Sequence, residues 1–205
     1  MLGFFCMFGG RNYKRNRMKE KLKYYLKANS IIDEIEINKI ISCFKLKTYK
    51  KNTTILSSGE ICSEFYFVNK GCLRTYFLTK QGNEKTRYIA FDCSIVSSFS
   101  SFISRQQSFE FIETIEDSEL FVMKHRDFYQ LVSEIPQWAK YYNSILEMAY
   151  LFQNKGIENL VTLSAKQRYD NLLIEKPMYI HKLSNKILAS YLNITQETLS
   201  RIKSK

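Results

Sequence analysis

The chain has 205 residues, of which 45% are hydrophobic and 25% charged, a composition that suits a folded globular protein and excludes intrinsic disorder. Only 7 residues are Gly and 2 are Pro, which excludes collagen-like and low-complexity classes, and no apolar run approaches the roughly 18 residues that a membrane span needs. The net charge of +11 is concentrated at the ends, because residues 1–30 carry +7 and residues 161–205 carry +5. A basic terminal module favours a polyanionic partner, although a general richness in Lys explains the charge about equally well.

The first 17 residues are unlike the rest of the chain. Residues 1–8 are apolar and a basic stretch follows them, which is the reverse of the order in a signal peptide. Met18 opens an amphipathic segment, so we predict that residues 1–17 are an upstream extension or disordered; the alternative is a tag that touches a membrane. Residues 19–46 have apolar side chains at helical spacing and open a sensor domain that we place at residues 18–135.

Short β-rich runs separated by turn signals follow. They predict strands at residues 53–56, 64–68, 72–79, 85–91, 109–115 and 118–123. Gly59, Gly71 and Gly82 stand where turns need a positive φ angle. Strands at this spacing are typical of an antiparallel sandwich, jelly roll or barrel. Residues 92–108 contain seven serines and are predicted as an extended loop or a short helix.

A long helix is predicted next, and Pro136 suits its first turn. Apolar residues recur in it at spacings of 4, 3, 4 and 3, which is the pattern of a coiled-coil seam. We therefore predict a dimerisation helix over residues 136–162, with the alternative that it packs against its own sensor domain. The candidate dimer contacts are Trp138, Tyr142, Ile145, Ala149 and Phe152.

Residues 163–205 read as short helices, and two of them form the pattern of a helix-turn-helix. Ser184 is placed to cap the first helix, and Thr195 to cap the second. Asn193 falls where the turn between them needs a left-handed residue. Leu199 faces back to the core. The alternative is an ordinary helical hairpin, which apolar spacing alone would also produce.

The second helix would present polar side chains to solvent. Arg suits guanine, Gln suits adenine and Glu suits the cytosine amino group, while neighbouring Lys residues can neutralise phosphates. A helix N-terminus adds free N–H groups for a phosphate. The candidate DNA-binding residues are Ser184, Lys186, Thr195, Gln196, Glu197, Ser200, Arg201 and Lys203.

Two stretches make the chain resemble the Crp/Fnr family of bacterial transcription regulators. The first is ILSSGE at residues 55–60 with YFVNKG at residues 66–71, and the second is LASYLNITQETLSRI at residues 188–202. The resemblance implies an α+β fold with a cyclic-nucleotide-binding-like jelly roll, a dimerisation helix and a helix-turn-helix of the winged-helix type with a short or missing wing. It also implies base contacts by Glu197 and Arg201, whereas Gln196 replaces a residue that is often basic in the family.

The effector region departs from the family pattern. Members that bind cyclic AMP hold its phosphate with a Gly-Glu pair and an Arg, and this chain has serines and phenylalanines there. Because a buried phosphate needs donors and a counter-charge, we do not expect cyclic AMP to bind. The effector is unknown, and the candidate pocket residues are Phe99, Ser100, Ser108 and Phe109.

Neither a metal site nor an enzyme is predicted. The five cysteines include no C-x-x-C pair and indicate free thiols in a cytoplasmic protein, and His125 and His181 have no ligand-spaced neighbours. The clustered N-terminal cysteines of the family's iron–sulfur sensors are reduced here to Cys6, so we predict no cofactor. We find no Ser/His/Asp set and no glycine-rich phosphate loop.

These features predict a homodimeric transcription regulator that reads a palindromic operator. The predicted partners are double-stranded DNA, a second copy of the chain, RNA polymerase and an unidentified small molecule, with no membrane. The alternative is a ligand-sensing or protein-interaction module whose DNA-binding tail is vestigial.

Overall fold

The computed structural model of the chain describes residues 11–29 and 33–204, with side chains from Lys19 onward. The helices in this part of the chain are α1 (Arg11–Asn29), α2 (Glu34–Ser42), α3 (Phe99–Ser104), α4 (His125–Glu134), α5 (Pro136–Thr162), α6 (Ala165–Glu175), α7 (Pro177–Lys182), α8 (Asn185–Tyr191) and α9 (Gln196–Lys203). The strands are β1 (Lys45–Tyr49), β2 (Thr54–Leu56), β3 (Glu64–Lys70), β4 (Leu73–Leu78), β5 (Glu84–Ala90), β6 (Ile95–Val96), β7 (Phe111–Thr114) and β8 (Ser118–Lys124). Among the described helices, none is both long enough and apolar enough to cross a membrane.

The strands form two four-stranded sheets, with the orders β1-β8-β3-β6 and β2-β7-β4-β5, and every observed strand pair is antiparallel. One hydrophobic core contains residues from both sheets, such as Phe67 on β3 and Ile112 on β7. The strands therefore form a two-sheet sandwich, and no closed barrel is seen in the described residues.

Each of the six predicted strands overlaps an observed one. Strands β1 and β6 were not predicted, because β1 is an edge strand with mostly exposed, Lys-rich positions and β6 has only 2 residues. The end of the predicted N-terminal helical segment falls in β1, so the helix prediction is wrong for residues 45–46. The serine-rich segment contains both β6 and the short helix α3.

The turn glycines have the predicted backbone. Gly59, Gly71 and Gly82 have φ angles of 92°, 112° and 78°. At Gly71 a Cβ atom would lie 2.3 Å from the Oγ of Ser118, so both the φ angle and the close approach require glycine.

Two helices precede the sheets. The Asp33 side chain caps α2 by accepting the Glu36 N–H at 2.8 Å, and Leu22 and Leu26 of α1 are buried in the core. Helix α1 begins upstream of Met18, at Arg11, and the assignment of residues 1–17 as an extension or disordered stays a prediction. Residues 1–10 lie outside the described part of the chain, and the upstream extension stays a prediction.

The first half of the predicted dimer seam belongs to the chain's own core. Trp138, Tyr142 and Ile145 on α5 are 0%, 8% and 2% exposed. Trp138 and Tyr142 pack at about right angles or tilted against Phe128 of α4, with ring centroids 5.3 Å and 5.1 Å apart. Side chains covered within one chain have little surface left for a second chain, so these three residues pack on their own chain as in the alternative, and their role as dimer contacts stays a prediction.

Helices α6 to α9 form the C-terminal module. Ser164 caps α6 in a reciprocal capping box with Gln167, as a helix start requires. The module shares a hydrophobic cluster with Cys72, Ile89 and Phe91 of the sensor domain. The predicted domain boundaries remain predictions.

Candidate nucleic-acid interface and sensor cavity

Helices α8 and α9 are joined by a tight turn whose geometry matches the prediction. Ser184 accepts the N–H of Ile187 at 3.3 Å, and Thr195 accepts the N–H of Thr198 at 3.2 Å, so both helix starts are capped. Asn193 in the turn has a φ angle of 55°. These contacts fix the angle between the two helices.

Helix α9 presents a polar ridge to solvent. Its only fully buried side chain is Leu199, which is 1% exposed and anchors the helix to the module. At its first turn, the backbone N–H of Glu197 and the Thr195 hydroxyl lower the pKa of the Glu197 carboxyl. The predicted DNA-binding residues on this ridge are all exposed: Thr195, Gln196, Glu197, Ser200, Arg201 and Lys203.

Two of the predicted phosphate-binding lysines already have partners in the chain. The Nζ of Lys203 donates to Oδ1 of Asn185 at 2.6 Å. The Nζ of Lys186 lies 2.7 Å from Oε1 of Glu84, which belongs to β5 of the sensor domain. Lys186 and Ser184 are exposed at the start of α8, so they lie at the edge of the α9 ridge, and Lys186 also bridges two domains.

Helix α8 is docked on strand β5 through one buried serine. The Ser190 hydroxyl accepts the Thr86 N–H at 2.8 Å and donates to the Glu84 carbonyl at 3.0 Å. It also lies 2.9 Å from the Thr86 hydroxyl. Ser190 therefore continues the hydrogen bonding of the β5 edge into the module.

Glu84 joins this docking contact to a buried ion cluster. Its carboxylate binds Arg74 at 2.6 Å and Lys186 at 2.7 Å, while Arg74 also binds Glu113 at 3.0 Å. Partial burial raises the pKa of Glu84, but the hydrogen bonds from Lys186 and Arg74 outweigh it, so the pKa lies below its usual value.

Helix α7 adds an apolar part to the same contact. The Tyr179 hydroxyl donates to the Ile89 carbonyl at 3.0 Å, and the Tyr179 ring packs against Phe91 with centroids 5.5 Å apart. Lys176 lies over the rings of Phe152 and Tyr179, and burial lowers the pKa of its ammonium group. The two domains thus meet over both polar and apolar surface.

A cavity of about 410 Å³ lies between the sensor sheets and helix α5, on the other side of β5. Its volume is in the range of small-molecule sites. Tyr25 of α1 reaches it from the N-terminal side, and the Tyr88 and Phe152 rings meet edge to face at 5.6 Å between β5 and α5. Further apolar lining comes from Ile95, Val96, Phe99, Ile145, Met148 and Ala149.

The cavity has one polar side. There Arg87 of β5 pairs with Glu110, whose side chain is only 1% exposed. The second oxygen of Glu110 accepts the Ser98 hydroxyl at 2.7 Å, and Ser98 lies 3.0 Å from the Ser108 hydroxyl. Thr75 and Ser97 also line this side.

The predicted pocket residues divide between the cavity and its surroundings. Phe99 lines the cavity, and Ser108 lies behind it in the Glu110 network. Ser100 is exposed on α3, and Phe109 is 55% exposed and packs on Phe77, so neither of these two candidate residues lines the cavity.

The second half of the predicted dimer seam also lines this cavity. Ala149 and Phe152 line this cavity from α5 and are only partly buried, so their role as dimer contacts stays a prediction. The only cation in the serine-rich segment, Arg105, is turned away and donates to the Cys62 carbonyl at 2.6 Å.

Sequence reasoning missed the polar residues at both sites. Arg87 and Glu110 are far apart along the chain and carry no motif, so only the sheet brings them together. One feature of the sequence could have indicated the role of Ser190, since it is a polar residue between Ala189 and Tyr191 on the buried side of its helix. No group of His, Cys, Asp and Glu that could hold a metal ion is found in the described residues.

Comparison with known proteins supports the same architecture. Residues 46–134 match the cyclic nucleotide-binding domain family. No curated protein is significantly similar to the chain. Among solved structures, FixK2 of Bradyrhizobium japonicum has 19% identity and a TM-score of 0.69, covering 78% of this chain and 83% of that one.

Two further solved structures extend the likeness. The c-di-GMP responsive global regulator CLP of Xanthomonas campestris has 15% identity and a TM-score of 0.67, covering 83% of this chain and 89% of that one. A protein of Eubacterium rectale, described as a transcriptional regulator of the Crp/Fnr family, has 22% identity and a TM-score of 0.67, covering 83% and 82%. At these identities the likeness establishes the fold.

Proposed function

Because the chain has a cyclic nucleotide-binding domain and the fold of Crp/Fnr regulators, as its sequence predicts, we propose that it is a DNA-binding transcription regulator. In this proposal α8 and α9 are a helix-turn-helix, and α9 enters the major groove as the recognition helix. The same fold class comprises regulators and sensor domains rather than enzymes.

The observation that carries the proposal is the bare polar ridge of α9. Gln196, Glu197 and Arg201 are exposed on one short helix whose apolar anchor points the other way. Each of these side chains matches the donor and acceptor pattern of a base edge. The capped N-terminus at Thr195 adds free N–H groups that suit a phosphate.

Dimerisation is assigned to the outer face of α5, since the inner face is covered. Tyr150, Ile157 and Leu160 are 65%, 61% and 47% exposed, and with Gln153 they follow spacings of 3, 4 and 3. Val161 extends the same face and is 79% exposed. The polar Gln153 interrupts this stripe, but exposed apolar residues at heptad spacing still favour contact with a second copy of the same helix.

Strand β5 provides a route from effector to DNA. Arg87 is the extra residue of a β-bulge, because Thr75 pairs with Tyr88 and Tyr76 pairs with Thr86. Arg87 reaches the cavity, while its neighbour Thr86 binds Ser190 of the DNA-binding module. A ligand that moves Arg87 therefore acts on the strand that holds the module. Such a ligand shifts the module's orientation only by as much as it binds the two arrangements differently.

A second candidate function is supported by the docking itself. Glu84 occupies Lys186, and α8 is fixed to the sensor domain, which suits a sensing module that no longer releases its tail. Recruitment of RNA polymerase stays a prediction under either function.

A salt titration of DNA binding separates the two functions. The full chain is incubated with a pool of random-sequence duplexes, bound DNA is recovered, and affinity is measured between 50 mM and 200 mM salt. A regulator enriches defined sequences and loses affinity steeply with salt, because lysines and arginines displace counterions from phosphates. No binding at the lowest salt would support the sensing module instead.

A further inference from the structure

We propose that the sensor cavity selects an uncharged, mostly apolar small molecule that carries one carbonyl or hydroxyl group, and that it excludes cyclic nucleotides and other phosphates. The inference rests on the proposed function in one respect, namely that the cavity is the effector site. It concerns the chemistry of the ligand, which the cavity residues decide.

The two opposite charges on the polar side of the cavity already neutralise each other. The Arg87 guanidinium is paired with Glu110, and Glu110 is further held by the Ser98 hydroxyl at 2.7 Å. Both residues line the cavity, and Glu110 is 1% exposed. The site therefore offers an entering ligand a compensated ion pair, and not a free charge.

An anionic ligand is disfavoured by this arrangement. A phosphate or carboxylate that binds Arg87 must lie beside the Glu110 carboxylate or displace it, and a displaced Glu110 would be a buried charge without a counter-charge. A cationic ligand is disfavoured for the same reason, because it must lie beside the Arg87 guanidinium or displace it from Glu110. The nearest other cation of the serine-rich segment, Arg105, is turned away and bonded to the Cys62 carbonyl, so it does not supply a second counter-charge.

Arg87 still has donors to offer. Within the described residues its hydrogen bonds go to Glu110 through Nη1, whereas a guanidinium carries five N–H groups. A carbonyl or hydroxyl oxygen can accept one of these N–H groups while the ion pair stays intact. The ligand therefore needs one hydrogen-bond acceptor, which would bind a free N–H group of Arg87 at the polar end of the cavity.

The remaining walls are mostly apolar, although Cys93, Ser94 and Gln153 also line the cavity, and Arg87 and Glu110 are the only charged residues among the described residues of the lining. Tyr88 and Phe152 meet edge to face across the cavity, and Tyr25, Phe99 and Met148 complete the lining around them. A volume of about 410 Å³ accommodates a two-ring compound with short substituents. Size, wall chemistry and the single polar end together define the ligand class.

The test uses two fluorescent naphthalene probes of similar size with the full chain. One is uncharged and carries a ketone, 6-propionyl-2-(dimethylamino)naphthalene, and the other is the two-ring anion 5-(dimethylamino)naphthalene-1-sulfonate. We expect the uncharged probe to bind with a blue-shifted emission and at least about tenfold tighter than the anion. We also expect that cyclic AMP at millimolar concentration does not displace it. Equal or tighter binding of the anion, or displacement by cyclic AMP, overturns the proposal.

Two variants locate the binding. Ala149→Phe fills the cavity from α5 and is expected to lower the affinity of the uncharged probe by about tenfold or more, whereas Gln130→Phe on the exposed face of α4 leaves it unchanged. Glu110→Gln keeps an acceptor for Ser98 but frees the Arg87 charge, and it is expected to raise affinity for the anion by about tenfold. Probe binding that Ala149→Phe does not change overturns the proposal, and this result does not depend on the folding of Glu110→Gln.

The two proposals fail separately. If the chain does not bind DNA but binds the uncharged probe in the cavity, the regulator proposal fails and the ligand class stands. If it binds DNA and the cavity prefers the anion, the ligand class fails and the regulator proposal stands.

Discussion

Helices α8 and α9 belong to one module, yet they face different surroundings. Helix α8 buries Leu188, Ala189 and Ser190 and is fixed to strand β5 of the sensor domain. Helix α9 buries Leu199 and leaves its polar side chains in solvent.

The comparison distinguishes two uses of polar residues. The Ser190 hydroxyl is buried and bonded to two backbone groups of the sensor domain, so its role is to hold the module in place. Gln196 and Arg201 are exposed on a rigid, capped helix, so they are free to meet a partner. Docking therefore belongs to α8, and the DNA reading that we propose belongs to α9.

The largest expected effect comes from preventing the proposed dimerisation, which would separate the two copies of α9. Ile157→Asp places a charge in the exposed face of α5, so we expect a monomer by sedimentation equilibrium and a loss of about 100-fold or more in operator affinity, because the two half-sites then bind independently. Ile35→Asp, which changes an even more exposed Ile on α2, is the matched control and should change neither property. A variant that stays dimeric would place the dimer contact elsewhere.

Removal of a reading side chain should affect DNA binding without affecting folding. Arg201→Ala is expected to cost about 1–3 kcal/mol in binding to the preferred operator, measured by fluorescence anisotropy. The free energy of unfolding should change by less than about 0.5 kcal/mol, since Arg201 is exposed. Arg126→Ala removes the same charge from the surface of α4 and controls for the change in net charge. Equal losses in the two variants would contradict base reading by Arg201.

A substitution in the docking helix α8 should reduce the stability of the fold, in contrast to Arg201→Ala. Ser190→Ala leaves the buried Thr86 N–H without its acceptor, so we expect a loss of about 1–3 kcal/mol in the free energy of unfolding, measured by urea denaturation. Ser200→Ala on the exposed side of α9 is the control and should stay within about 0.5 kcal/mol. If both serines prove equally dispensable, α8 is not held as the structure indicates.

The smallest expected effect depends on pH. The pKa of Glu84 is lowered in the folded protein, so its contacts stabilise the fold above the ordinary carboxyl pKa of 4.5 and are lost as the pH falls through the lowered value. We expect Glu84→Gln to cost about 0.5–1 kcal/mol at pH 7 and progressively less in acid, measured as denaturation midpoints from pH 7 to pH 3. A stability difference between Glu84→Gln and the wild type that grows as the pH falls would contradict this prediction.

Local chemistry explains what could be predicted from sequence. Turn glycines such as Gly71, the left-handed Asn193 and the caps Ser184 and Thr195 act over a few residues, and the structure confirms each of them. The overlap of all six predicted strands follows from the same turn signals.

Long-range packing explains which features could not be predicted from the sequence. The spacing of Trp138, Tyr142 and Ile145 is equally compatible with a dimer seam and with packing on the chain's own sensor, and only the tertiary structure shows that they are buried. The Arg87–Glu110 pair and the Ser190–Thr86 contact join residues that no local pattern relates. Two of the four candidate pocket residues therefore do not line the cavity, whereas the exposure of the α9 ridge depends on one helix and follows from its local pattern.

A footprint on selected DNA tests the central claim most directly. A duplex recovered from the random pool is treated with hydroxyl radicals in the presence of the wild-type chain and of a variant in which Gln196, Glu197 and Arg201 are all alanine. The account predicts two protected patches on one face of the duplex, about 10 base pairs apart from centre to centre, which disappear with the triple variant. Protection that the triple variant keeps in full, or a single unpaired patch, would contradict it.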